Sequence, residues 1–90
     1  MPKGEAVGLI ERPARFASIM EQVDFELTLE RIAAAAARGW RLRYTYGVRG
    51  FRFIARQLSG CRCIGQAMWD KRAALKSVLN GIEDEHALMP

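Results

Sequence analysis

At Gly39-Trp40 the spacing of apolar residues changes from a helical period to a strand period, which narrows the folds open to this 90-residue chain. Before the switch, Thr28 reads as a helix N-cap leading through Leu29-Glu30-Arg31 into a run of alanines, with Gly39 as the stop. Leu29, Ile32, Ala33 and Ala36 form its apolar stripe. After the switch, Trp40, Leu42, Tyr44 and Tyr46 alternate with Arg41, Arg43 and Thr45. Gly47-Val48-Arg49-Gly50 reads as a four-residue hairpin loop with glycines where positive φ is wanted. Phe51, Phe53 and Ala55 then alternate with Arg52, Ile54 and Arg56. Ser59-Gly60 makes a second turn, and Cys61-Arg62-Cys63-Ile64 opens a third strand. Helical spacing returns behind Asp70 as the cap, with Leu75, Val78, Leu79 and Ile82 on the buried side and Gly81 as the C-cap. The expected fold is α+β: a three-stranded antiparallel sheet with two helices on one face, an α-β-β-β-α core, plus an N-terminal helical arm.

The first 27 residues are expected to form that arm. Val7-Gly8-Leu9-Ile10 suits a short edge strand, and Pro13 can sit in the first turn of a helix. Phe16, Ile19, Met20 and Val23 fall on one helical face, while Val23, Phe25 and Leu27 also alternate as a short strand would. The organisation read from sequence is thus an arm over 1–27, a basic domain over 28–82 and an acidic tail over 83–90. A chain this short holds one domain with one core.

Charge is distributed unevenly. Residues 28–82 carry eleven bases and two acids, Glu30 and Asp70, and eight arginines fall between those acids with none to balance them. A GC-rich genome favours arginine over lysine, but it does not remove acids. The strand period of two puts Arg41, Arg43, Arg52, Arg56 and Arg62 on the sheet face opposite Trp40, Leu42, Tyr44, Phe51, Phe53, Cys61 and Cys63. Like charges on neighbouring strands repel unless anions sit among them. Arginine grips phosphate through its bidentate fork. Arg49 in the hairpin and Lys71-Arg72 at a helix start, where backbone N–H groups favour phosphate, extend the footprint. A solvated face and a solvated first turn are the plain alternatives. Tyr44 and Tyr46 can stack on bases, but their spacing equally suits core or rim.

Catalytic chemistry finds little to work with. The one histidine, His86, lies in the acidic tail, and a nucleophile-base pair needs an imidazole held by a second group. Cys61 and Cys63 make one C-x-C pair, short of the four ligands zinc takes, and read as two core cysteines in a reducing compartment. Gly47-Val48-Arg49-Gly50 lacks the Lys-Ser/Thr of a phosphate-binding loop. The expectation is a non-enzymatic protein with no cofactor and no metal. Half the residues are apolar, so the chain is too apolar for disorder, yet no run is long enough to span a bilayer. Met1-Pro2-Lys3-Gly4-Glu5 has no signal-peptide pattern, so a cytoplasmic location is expected.

Arg38-Gly39-Trp40 and Lys71-Arg72-Ala73-Ala74-Leu75-Lys76 carry a resemblance. In part, residues 27–82 resemble a double-stranded RNA-binding domain, a family with the order α-β-β-β-α and a Gly-Trp near the end of its first helix. That family opens its last helix with Lys-Lys-x-Ala-Lys, which grips phosphates. Here the first two bases and Ala74 match, and Lys76 falls one position late. Its Gly-Pro-x-His loop stands here as Gly47-Val48-Arg49-Gly50. The resemblance implies phosphate contacts from Lys71 and Arg72, whereas the strand pattern points to the sheet. The expected partner is nucleic acid, DNA or RNA, bound through Arg41, Arg43, Arg49, Arg52, Arg56, Arg62, Lys71 and Arg72. The alternative is a small phage- or plasmid-type inhibitor or adaptor, such as an anti-CRISPR protein, docking on an acidic or RNA-bearing protein. A homodimer is compatible with either. A large apolar patch at the rim of the arginine face would favour the protein partner.

Overall fold

The computed structural model describes residues 9–88, with side chains through Glu85. Helix α1 (Ile19–Ala37) leads into strands β1 (Arg41–Gly47), β2 (Gly50–Arg56) and β3 (Arg62–Ile64), and helix α2 (Lys71–Leu88) follows. The sheet is antiparallel in the order β1-β2-β3, and both helices cover one face, so the class is α+β. Among the described residues no helix is long and apolar enough to cross a membrane.

Helix α1 differs most from expectation. Its N-cap is Ser18, whose hydroxyl accepts from Glu21 N at 3.1 Å, while the Glu21 carboxylate accepts from Ala17 N at 3.2 Å. This is a capping box displaced by one residue. No helix begins at Pro13, and no strand forms at Val23–Leu27. Thr28 is not a cap: it is buried in mid-helix, where its hydroxyl donates to the Asp24 carbonyl at 2.8 Å. The helix therefore runs unbroken through the junction expected between 27 and 28. Its buried side is Phe25, Thr28, Ile32 and Ala35. Ala33 and Ala36 face solvent, and so do Ile19, Met20 and Val23. Of the expected N-terminal face only Phe16 packs inward, its ring 5.5 Å from that of Phe25. Val7 and Gly8 lie outside the described residues. Leu9 and Ile10 are buried in the core without forming a strand.

The end of α1 follows the sequence. Gly39 takes φ of 91°, a left-handed value that stops the helix and turns the chain into Trp40, which is buried. The hairpin is tighter than expected, since Gly47 pairs with Gly50 across a two-residue turn. β3 begins at Arg62, so Cys61 lies outside the sheet and is exposed, not part of the covered face.

In α2 the expected stripe holds: Leu75, Val78, Leu79 and Ile82 are all buried, joined by Ala74. Asp70 stands at the N-cap position, its carbonyl accepting from Ala74 N at 3.0 Å. Gly81 is not a cap, because α2 continues to Leu88 and takes in His86 and the acidic residues expected as a tail. A Cβ at Gly81 would stand 2.7 Å from Cys63 Sγ, so this glycine lets α2 lie close on β3.

Candidate nucleic-acid interface

Strand pairing decides which side chains share the open face. Arg41 pairs with Arg56, Arg43 with Ile54, and Thr45 with Arg52; on the other side of β2, Arg56 pairs with Arg62 and Ile54 with Ile64. Directly opposed residues project on the same side. Arg41, Arg43, Arg52, Arg56 and Arg62 therefore stand together on the face the helices leave open, and all five are exposed. Arg49, in the hairpin turn, lines with Arg52 and Thr45 a shallow depression of about 200 Å³, so it extends the face at that end. Arg38, which the sequence reading passed over, lies near the opposite end: its carbonyl accepts from Gln57 Nε2 at 3.0 Å. Its position becomes visible only when the turn after β2 folds back beside the α1 C-terminus.

The electrostatics of the two sides differ. On the helical side four cations have carboxylate partners among the described residues. Arg12 meets Glu26 at 2.7 Å, Arg31 meets Glu83 at 2.8 Å, and Asp24 takes Lys76 at 2.5 Å and Arg72 at 3.6 Å. Among the described residues none of the five open-face arginines has such a partner. The hydrogen bond from Lys76 holds the Asp24 carboxyl below its usual range, aided by the charges of Lys76 and Arg72 against partial desolvation.

Lys71 and Arg72 do not join the sheet arginines. They line a groove of about 650 Å³ on the helical side, with Tyr44, Phe51, Asp24 and Lys76. The Lys71 ammonium lies 4.2 Å from the Tyr44 ring centre, and the Arg72 guanidinium 5.1 Å from that of Phe25. Both are cation–π geometries. Tyr44 lines that groove. Tyr46 packs against Phe51 at 4.7 Å and meets Trp69 edge-on at 6.5 Å. Trp69, 67% exposed, is an aromatic neighbour of Tyr46 that no alternation in the sequence signals, because it precedes α2 outside any strand.

The open face itself carries no aromatic side chain. Its apolar content is the cross-strand pair Ile54 and Ile64, the first half-buried and the second 53% exposed. The larger exposed apolar stripe lies elsewhere, on α1, where Ile19, Met20, Val23 and Leu27 project away from the core. Cys63 is half-buried on the helical side, and burial, with a smaller push from Glu85, raises its thiol above the usual range. No family model matches the chain, and searches of curated proteins and of solved structures find no significant similarity.

Proposed function

We propose that this chain is a small, non-enzymatic, cytoplasmic nucleic-acid-binding protein that contacts phosphates through the open face of its sheet. One observation carries this reading: five exposed arginines share a face that has neither an acid nor an intramolecular carboxylate partner among the described residues. Such a face repels itself unless polyanion is present. Lys71 and Arg72, which the likeness to double-stranded RNA-binding domains would put on the phosphates, are engaged with Tyr44, Phe25 and Asp24. They therefore contribute less than the sheet.

A second reading has an observation of its own. The α1 stripe, with Ile19 80% and Met20 83% exposed, suits a protein partner, as a small inhibitor or adaptor would need. These residues belong to α1 and not to the sheet that carries the arginines.

Charge reversal separates these readings. Arg43→Glu with Arg52→Glu should abolish binding to DNA or RNA and leave Tm nearly unchanged, as expected of exposed sites. Lys71→Glu with Arg72→Glu should weaken binding mildly while lowering Tm, because Asp24 loses a partner. Electrophoretic mobility shift with duplex DNA, duplex RNA and single strands reads the outcome. If the helix-start pair dominates, the sheet reading fails; if no nucleic acid binds at low salt, the adaptor reading replaces it.

A further inference from the structure

Five arginines share the open face, but strand register gives three of them a closer relation. Arg41 stands opposite Arg56, and Arg56 opposite Arg62, so one row of arginine crosses all three strands. Directly opposed Cβ atoms lie about 4.5–5.5 Å apart. The neighbouring row reads Arg43, Ile54, Ile64, and the next pairs Thr45 with Arg52, so neither Arg43 nor Arg52 has an arginine directly opposite. Both like-charge contacts in the sheet therefore fall on Arg56. Opposed like charges are destabilising, and a core of this size has little stability to spare.

The platform under the row is held by hydrogen bonds. Gln57 N donates to the Cys61 carbonyl at 2.9 Å and Gly60 N to the Gln57 carbonyl at 3.0 Å, closing the turn that joins β2 to β3 beside Arg56 and Arg62. Gln57 Nε2 ties the same turn to Arg38 at the end of α1. The strands cannot spread at this end to separate the three charges without breaking these bonds.

We propose that Arg41, Arg56 and Arg62 form a clamp for one phosphoryl group, with Arg56 as its central ligand. The inference rests on the phosphate-binding reading of the face and narrows it to one row. A tetrahedral oxyanion among three guanidinium groups turns two repulsive contacts into three attractive ones, each with the charge-assisted hydrogen bonds that phosphate accepts. Arg56 then costs the free protein stability and returns it on binding. The same chemistry belongs to a phosphodiester within a nucleic acid and to free inorganic phosphate.

Arg56→Gln and Arg52→Gln, each at an exposed position, test this. At low ionic strength Arg56→Gln should raise Tm of the free protein by about 2–5 °C, the relief of two opposed like charges in a domain this small. Arg52→Gln should not. Millimolar inorganic phosphate should raise Tm of wild type and Arg52→Gln but not of Arg56→Gln. Affinity for duplex DNA should fall about tenfold in Arg56→Gln, in keeping with loss of a charge-assisted contact, and about two- to threefold in Arg52→Gln. If the two variants match in Tm, phosphate response and affinity, the row is no clamp, although the face remains a phosphate surface. If phosphate stabilises through Arg56 while DNA affinity is unchanged, the clamp takes free phosphate and the nucleic-acid reading falls. If no arginine variant changes either ligand's effect, clamp and face fall together.

Discussion

Asp24 shows how one carboxylate fixes what two neighbouring cations can do. It accepts from Lys76 at 2.5 Å and faces Arg72 at 3.6 Å, drawing α2 against α1. Its carboxyl is held below the ordinary range chiefly by the Lys76 hydrogen bond. A folded-state pKa below the unfolded value of about 3.9 gives stability that is complete above that value and is lost as pH falls through the folded one. At neutral pH, Asp24→Asn should therefore cost about 0.5–1 kcal/mol, the range of partly exposed ion pairs. That difference should shrink as pH drops below about 4. Urea midpoints of both proteins across that range check it; a gap that persists in acid would assign the cost to packing. None of this is legible in sequence, where Asp24 belongs to an arm and Lys76 to a helix start. The late position of Lys76, a mismatch in the resemblance, is the one that reaches Asp24.

At the scale of elements, the strands and α2 were readable because one face of each is apolar and the other is not. Leu75, Val78, Leu79 and Ile82 allow a single choice of buried side. α1 allows two. Phe25, Thr28, Ile32 and Ala35 make one stripe, and Ile19, Met20, Val23 and Leu27 another on the far side of the helix. Periodicity marks both and cannot say which meets the core; the placement of α2 decides. The alternation Val23-Phe25-Leu27 and the threonine at 28 then simulate a break that does not exist. The true start carries its own signal, Ser18-Ile19-Met20-Glu21, a serine with glutamate three residues on. Two substitutions separate the alternatives. Ser18→Ala should cost about 1 kcal/mol, the usual loss of a cap. Thr28→Asp would strengthen a cap but here buries a carboxylate in mid-helix, at a cost of about 3 kcal/mol or more. Chemical denaturation reads both, and a stabilised Thr28→Asp would refute the continuous helix.

Among the described residues, charge is sorted by face: Arg12, Arg31, Arg72 and Lys76 meet carboxylates on the helical side, and the five sheet arginines meet none. The sequence placed the five sheet arginines together because a period of two needs no tertiary information. It could not place Lys71 and Arg72 against Tyr44 and Phe25, nor find the row through Arg56, because both depend on how separate elements meet. That row bears on how binding responds to salt. Counterion release counts phosphates neutralised, about 0.9 of a log unit per phosphate on B-form DNA. One phosphate for each of the five sheet arginines and Arg49 would give a log–log slope of roughly −5.5. If Arg41, Arg56 and Arg62 share one phosphate, only four are neutralised and the slope becomes roughly −3.5. Titrating duplex DNA across a salt series distinguishes the two. The Lys71→Glu, Arg72→Glu protein should keep the wild-type slope, because those side chains face the other way. A slope near zero would remove phosphate contact altogether, whereas the steeper value would keep the face and dissolve the clamp into six independent contacts.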